Sequence, residues 1–194
     1  MKIIYLHGFA SSGASGTVEL LRKMLPDDEI IAPDIPMDPE EALPFLKDFC
    51  ASNGPDLVIG TSMGGMYAQQ MRGYRKICVN PAFNMSRMSK VLKPGTFKYL
   101  NGRKDNAREF RITKETIQHY FLMERRQFEG ITELEREITW GLFGTEDDTT
   151  RSSYDIFRKY YPNGTRFEGG HQLNDHALRT AVLPLIKKIK SGQS

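Results

Sequence analysis

Ser62 is the residue whose surroundings most clearly suggest chemistry. It stands in Gly60-Thr61-Ser62-Met63-Gly64, a Gly-x-Ser-x-Gly pattern in which a strand turns sharply into a helix and lifts the serine hydroxyl clear of the sheet. Side chains at positions 60 and 64 would crowd such a turn, and the first amides of the helix favour negative charge nearby. The pattern predicts a nucleophile; the alternative is a tight turn whose serine only caps the helix.

His171 is the best-placed candidate for the base that a serine nucleophile requires at neutral pH. It follows a predicted strand in "FEGGHQL", where Gly169 and Gly170 allow the loop to curl toward the end of the sheet. His176, at the start of a helix, is interpreted as a surface or capping residue. His119 is interpreted as a packing or surface residue.

An acid must orient the imidazole of such a pair and stabilise its protonated form. The stretch "LFGTEDD" supplies acids directly after the predicted fifth strand. Asp147 is the candidate, Asp148 and Glu146 are the alternatives, and a solvated acidic turn is the interpretation without catalysis. Each member of the set Ser62, Asp147, His171 would follow a strand, so we expect all three to meet at one edge of the sheet.

The stretch "YLHGFASSG" is predicted to supply the remaining part of such a site. The oxyanion of a tetrahedral intermediate needs amide donors, and we expect these to be the amides of Met63 and Phe9. His7 and Gly8 would shape the loop, with His7 hydrogen-bonded to nearby backbone. A phosphate cradle is not favoured, because neither Gly-x-Gly-x-x-Gly nor a Walker lysine is present.

The elements that would position these residues alternate between short apolar runs and longer periodic segments, as in a βαβ protein with a parallel sheet. Right-handed crossovers would place the helices on both faces of the sheet. The predicted strands are 2–8, 29–36, 56–62, 76–82, 137–144 and 164–170, and the predicted helices are 17–25, 39–52, 65–71, 152–161 and 175–190.

The segment 84–136 interrupts this alternation. About fifty residues separate two strands, with a helical pattern at 114–128, so we predict a helical cap above the strand ends, where ligands bind in open α/β sheets; the alternative is a long crossover that only packs. Residues 86–114 are basic and would either attract an anionic substrate or form a solvated surface.

A methionine- and phenylalanine-rich set is expected to line an apolar pocket or to belong to the core: Met63, Met66, Phe83, Met85, Met88 and Phe121.

Composition limits the class of protein. A chain of 194 residues with 26% charged residues is expected to form one globular domain over 1–194. A net charge of +3 gives no case for nucleic-acid binding, and two cysteines outside any metal-binding spacing predict neither a disulfide framework nor a metal site. No signal peptide or membrane-length apolar run is recognisable. We therefore expect a cytoplasmic protein without metal or cofactor.

Four motifs together resemble those of the small bacterial YqiA-like esterases, a branch of the α/β-hydrolases. They are "YLHGFASS", "IGTSMGGMYA", "VNPA" and "EGGH", and the order serine, acid, histidine agrees with that superfamily. The resemblance implies an α/β-hydrolase fold with a mostly parallel sheet of about six strands. It also implies hydrolysis of ester or thioester bonds of small acyl substrates, with Ser62, Asp147 and His171 in the family's catalytic positions. Alternatives are a peptidase or lipid acylhydrolase on the same residues, or a catalytically silent binding module.

Overall fold

The computed structural model describes residues 1–88 and 92–192. Its main sheet has six strands, all paired in parallel, in the order β2-β1-β3-β4-β7-β8. The strands are β1 (Lys2–Leu6), β2 (Glu29–Ile31), β3 (Leu57–Thr61), β4 (Lys76–Val79), β7 (Thr139–Gly144) and β8 (Asn163–Phe167), and a separate antiparallel hairpin consists of β5 (Gly95–Lys98) and β6 (Glu109–Ile112).

Helices cover both faces of the main sheet, as the alternation of elements predicts. They are α1 (Gly16–Met24), α2 (Pro39–Asn53), α3 (Met63–Gln69), α4 (Lys114–Arg126), α5 (Glu133–Glu137) and α6 (Ser153–Tyr160), followed by α7 (Asp175–Ala177), a π-helical turn (Leu178–Val182) and α8 (Leu183–Lys190). The inner strands are apolar on both faces because both are buried, a property of parallel sheets.

The two faces of the sheet hold two hydrophobic clusters. Alternate residues of one strand belong to different clusters: Ile4 and Leu6 of β1 pack with α2, α3, α4 and α6, whereas Ile3 and Tyr5 pack with α1 and the C-terminal helices. This assignment follows from the two-residue period of a strand. The sheet is therefore held rigidly from both sides, and the loops at its carboxyl edge start from fixed points.

The inserted segment, predicted from the sequence to be a helical cap, contains α4 and α5. It also contains the β5–β6 hairpin, and α4 packs on the sheet side with α2, where Tyr120 is fully buried and its hydroxyl donates to the Met37 carbonyl at 2.9 Å. Burial of Tyr120 and Met123 explains why α4 joins the core cluster. Of the basic residues in 86–114, Lys90 lies outside the described residues.

Candidate active site

Ser62 lies in the turn between β3 and α3, and its backbone is strained. Its φ of 55° and ψ of −118° fall in a region that residues with a side chain rarely adopt. The turn is tight: a Cβ added to Gly60 would lie 2.1 Å from the Gly64 carbonyl oxygen, and one added to Gly64 would lie 2.0 Å from that of Leu6. Only glycine fits at these two positions. The turn therefore requires the Gly-x-Ser-x-Gly pattern in which Ser62 stands.

The His171 ring contacts Ser62 and Asp147 at the same time. Its Nε2 lies 3.0 Å from Ser62 Oγ, and its Nδ1 lies 3.0 Å from Asp147 Oδ2. An ionised carboxylate only accepts hydrogen bonds, so Nδ1 carries the hydrogen and Nε2 is left to accept from the serine hydroxyl. The three side chains predicted to meet therefore do so, in a continuous hydrogen-bonded series.

The loops that carry Asp147 and His171 are joined through their backbones. The Glu146 amide donates to the Gly169 carbonyl at 2.9 Å. Close approach requires glycine, because a Cβ at Gly144 would lie 2.4 Å from the Gly169 oxygen, and Gly169 itself has a φ of 152°. Gly169, one of the two glycines predicted to let this loop curl, and Gly144, which the prediction did not include, thus allow direct contact between neighbouring strand-end loops.

Asp147 is buried and stays ionised. Burial alone would raise the pKa of its carboxyl, but hydrogen bonds from His171 and Thr150 outweigh that effect and lower the pKa from 3.8 to about 2. The Thr149 and Thr150 amides donate to Oδ1 at 2.8 and 3.1 Å, and the Thr150 hydroxyl donates to Oδ2 at 2.5 Å. The negative charge is therefore present at neutral pH and directed toward the imidazole.

The two alternative acids lie away from the histidine. Asp148 has a side chain that is 85% exposed and pairs with Arg151 at 3.0 Å. Glu146 is also exposed. Of the three acids in this loop, the geometry brings only Asp147 to the imidazole.

His7 shapes the loop after β1 through two hydrogen bonds. Its Nε2 accepts from the Ile35 amide at 3.0 Å, so its Nδ1 carries the hydrogen and donates to the Gly8 carbonyl at 2.8 Å. Burial lowers the pKa of this imidazole from 6.5 to about 4, which keeps it neutral. The N–H of a trans peptide points opposite to its C=O, so the bond to Gly8 directs the Phe9 amide away from His7.

The other two histidines lie outside this arrangement. His119 pairs with Asp38, with Nδ1 2.9 Å from the carboxylate. His176 is exposed on α7. Both placements agree with the surface and packing roles predicted for them.

A cavity of about 370 Å³ opens beside Ser62 and His171. Its described lining contains no Asp, Glu, Lys or Arg. Hydroxyl groups form much of the wall, and Phe9, Met85, Met88 and Leu173 supply apolar surface. The hydroxyl-bearing residues on it, besides Ser62, are Tyr5, Ser11, Ser15, Thr17, Thr61 and Thr149.

The pocket residues expected from the sequence divide into three groups. Met85 and Met88 line the cavity. Met63, Met66 and Phe83 are fully buried in the core cluster, and Phe121 is 39% exposed on α4. Sequence periodicity does not separate these groups, because methionine suits a core as well as a pocket.

Sequence reasoning missed two residues near the triad-like series. Thr150 donates to Asp147, and Asn80 contacts the loops after β7 and β8. The "VNPA" motif contains Asn80, and the only sequence feature that pointed to this residue was its position directly after a strand.

Within residues 1–88 and 92–192, no three His, Cys, Asp or Glu side chains group as metal ligands would, and no helix has the length and apolarity to cross a membrane.

The fold is that of the α/β-hydrolases. The chain belongs to the uncharacterised protein family UPF0227, the YqiA-like family, whose sequence model matches residues 2–175. The esterase domain of a Rhodothermus marinus protein is 17% identical, with a TM-score of 0.65 over 97% of this chain and 86% of that one.

Two further solved structures have the same fold. The thioesterase domain from the curacin biosynthetic pathway is 13% identical, with a TM-score of 0.59 over 97% of this chain and 90% of that one. A probable hydrolytic enzyme from Pseudomonas aeruginosa PAO1 is 16% identical, with a TM-score of 0.53 over 100% of this chain and 85% of that one. The three printed names describe an esterase domain, a thioesterase domain and a probable hydrolytic enzyme, and their likeness to this chain is one of fold.

Proposed function

We propose that the protein is a serine hydrolase that cleaves carboxylic ester or thioester bonds of small acyl substrates through an acyl-enzyme. The observation that carries this proposal is the series Asp147–His171–Ser62, with both hydrogen bonds of the imidazole at 3.0 Å. That arrangement gives a hydroxyl a base within proton-transfer distance and gives the base an ionised partner.

In the proposed reaction, Ser62 Oγ attacks the substrate carbonyl carbon while His171 Nε2 removes the hydroxyl proton. The negative charge on Asp147 stabilises the imidazolium that forms. The intermediate then expels its alcohol or thiol, which receives the proton from Nε2. Water hydrolyses the acyl-serine by the same steps, with His171 again acting first as base and then as acid.

The oxyanion of each tetrahedral intermediate would be held by the amides of Met63 and Phe9. Met63 is the first residue of α3, and the first-turn amides of a helix have no acceptor within it. The Phe9 amide is directed by the His7–Gly8 hydrogen bond. Removal of one such donor typically slows an acyl-transfer enzyme by about 10²–10³-fold.

The cavity favours a small substrate. Its volume of about 370 Å³ is near the lower end of the roughly 300–1,000 Å³ found for small-molecule pockets. The expectation of a cytoplasmic enzyme acting on a small acyl ester stays a prediction from the sequence.

A substrate panel tests the proposal. Purified protein would be assayed with p-nitrophenyl esters of increasing chain length, acyl-CoA thioesters and aminoacyl amides, beside Ser62→Ala and the exposed control Ser152→Ala. We expect ester or thioester turnover that is lost in Ser62→Ala and kept in Ser152→Ala. Turnover of amides alone would favour a peptidase, and no turnover of any substrate by folded protein would favour a binding module; either result contradicts the proposal.

A further inference from the structure

Asn80 connects three loops at the carboxyl edge of the sheet. It follows β4 directly, is 1% exposed and has a φ of 43°. Positive φ is uncommon outside glycine, and asparagine is among the residues that tolerate it best. The buried Asn80 side chain lies between the loop that carries Asp147 and the loop that carries His171.

The side-chain amide of Asn80 makes three hydrogen bonds. Its Oδ1 accepts from the Gly144 amide at 2.7 Å, and its Nδ2 donates to the carbonyls of Gly170 and His171 at 2.9 and 3.1 Å. The Gly144 N–H faces the side-chain oxygen, and the two carbonyls face the side-chain nitrogen. Only one orientation of the Asn80 amide therefore satisfies all partners. Both hydrogens of the nitrogen are in use, which leaves this group little freedom to rotate.

These bonds join the two loops. One of them ends on the backbone of His171 itself, and another ends on Gly144, whose carbonyl accepts from the Asp147 amide at 3.3 Å. The Thr150 hydroxyl, which donates to Asp147, also lies 3.4 Å from the backbone carbonyl oxygen of Asn80. The backbone of Asn80 is tied to the sheet by its amide, which donates to Leu142 at 2.8 Å.

We propose that Asn80 is a positioning residue that holds His171 at hydrogen-bonding distance from Asp147 and Ser62. It acts through the backbone of the histidine loop and not through the substrate. The catalytic part of this inference rests on the proposed function. Its structural part, the Asp147–His171 contact, can be measured whether or not the protein is an enzyme.

Two variants test the proposal in the full-length protein. Asn80→Gly adopts the positive φ and removes all three side-chain bonds. Asn80→Asp also tolerates that φ and keeps the acceptor for Gly144, but directs an oxygen at the carbonyls of Gly170 and His171. Asn106→Gly is the matched control, since Asn106 has a φ of 59° and is exposed. Thr139→Val, which loses a buried hydrogen bond at the opposite end of β7, controls for reduced stability.

The readouts are the rate of reaction with a fluorophosphonate and the low-field proton resonance of the His171 Nδ1–H, assigned by its loss in Asp147→Asn. We expect both Asn80 variants to react about 10- to 100-fold more slowly, since a displacement of about 1 Å costs that much in a catalytic group. The resonance should weaken or shift in both, while Asn106→Gly and Thr139→Val resemble the wild type. An unchanged resonance and rate in a folded Asn80 variant, with only thermal stability reduced, would overturn the inference.

The two hypotheses fail in different ways. If the wild type does not react with the fluorophosphonate, the proposed function fails, and the resonance alone then decides the role of Asn80. If the wild type reacts and the Asn80 variants react equally well, the inference fails and the proposed function stands. Should Asn80→Gly not fold, Asn80→Asp gives the same comparison.

Discussion

Four donors surround the carboxylate of Asp147, and they explain why this residue keeps its charge despite being buried. Two are the backbone amides of Thr149 and Thr150, one is the Thr150 hydroxyl and one is His171 Nδ1. Hydrogen bonds to the charged form lower a pKa, and here they outweigh desolvation. At the scale of single residues, the charge of Asp147 is therefore maintained by hydrogen bonds from residues that lie next to it.

Replacement of the acid separates Asp147 from its neighbour in the sequence. Asp147→Asn should lower kcat by about 10³–10⁴-fold, because the carboxylate that orients and stabilises the imidazolium is lost. Asp148→Asn is the matched control and should stay within about twofold, as its side chain is exposed and distant from His171. Steady-state kinetics with a p-nitrophenyl ester would measure both. Equal losses in the two variants would contradict the assignment of the acid.

The buried His7 makes stability depend on pH. Its pKa is about 4 in the folded chain and 6.5 without burial, so folding favours the neutral form. Neutral His7 makes its full contribution to the free energy of unfolding above pH 6.5. This contribution, about 3 kcal/mol, is lost as pH falls from 6.5 toward 4. The loss linked to Asp147 begins only below its ordinary pKa of 3.8 and continues toward 2, so the two groups occupy different pH windows.

Denaturant unfolding at several pH values between 7.5 and 4.5 would measure this dependence. We expect the free energy of unfolding of the wild type to fall across that range more steeply than that of His7→Asn, which has no imidazole to protonate. His176→Asn, a change at an exposed histidine, should show the wild-type slope. A His7→Asn variant that follows the wild-type curve would show that His7 is not held neutral.

At the scale of elements, the β5–β6 hairpin supports the loop that follows β1. Phe9 packs edge-on against Phe110 and Phe97, with ring centroids 5.3 and 6.2 Å apart. The Leu100 amide donates to the Ala10 carbonyl at 2.8 Å, and Asp34 accepts from the amides of Gly13 and Lys104. The inserted segment therefore constrains the residue whose amide is proposed to bind the oxyanion.

Truncation of the hairpin's central ring tests this role. Phe110→Ala should lower kcat by about tenfold with little change in KM, because a loosened Phe9 loop weakens one of the two proposed oxyanion donors without removing it. Phe121→Ala, at a 39% exposed position on α4 of the same insertion, is the control. Kinetics well below the unfolding temperature would measure the effect. Activity that falls only in proportion to the unfolded fraction would argue against the coupling.

At the scale of the whole molecule, the cavity lies at the carboxyl edge of the sheet and a buried ion pair lies at the amino edge. The strand order changes direction around β1, since β2 lies on one side and β3 on the other, and ligands bind at such switch points. At the opposite edge, Lys76 at the start of β4 pairs with Glu135 of α5, and both are almost fully buried. Desolvation lowers the pKa of Lys76, and Glu135 partly opposes that shift.

Loss of this pair should reduce stability and leave the reactive site intact. Glu135→Gln leaves the Lys76 ammonium buried without its carboxylate, a change that costs about 3–5 kcal/mol. Glu133→Gln, at an exposed position on the same helix, should cost little. Denaturant unfolding gives the free energy, and the fluorophosphonate rate at low temperature reports the site. A slower rate in folded Glu135→Gln would show that the two edges are coupled.

The sequence predicted both the parallel sheet and the proximity of Ser62, Asp147 and His171, and the reason lies in the geometry of parallel strands. Carboxyl ends of parallel strands share one edge, so Ser62 and His171 could be placed without coordinates. The hairpin was missed because β5 is largely exposed and lacks a strong apolar alternation. The sequence favoured Asp147 but did not exclude Asp148, since the direction of a loop side chain depends on backbone hydrogen bonds such as those from Thr149 and Thr150. Asn80 was missed because a side chain that joins loops leaves no periodic signal.

Covalent labelling tests the central claim most directly: that Ser62 is made nucleophilic by His171 and Asp147. Folded wild-type protein and Ser62→Ala would be treated with a fluorophosphonate, and the modified peptide would be located by mass spectrometry. We predict one label per chain, attached to Ser62 and absent from the variant. Folded wild-type protein that takes up no label, or that carries it on a residue still modified in Ser62→Ala, would contradict the account.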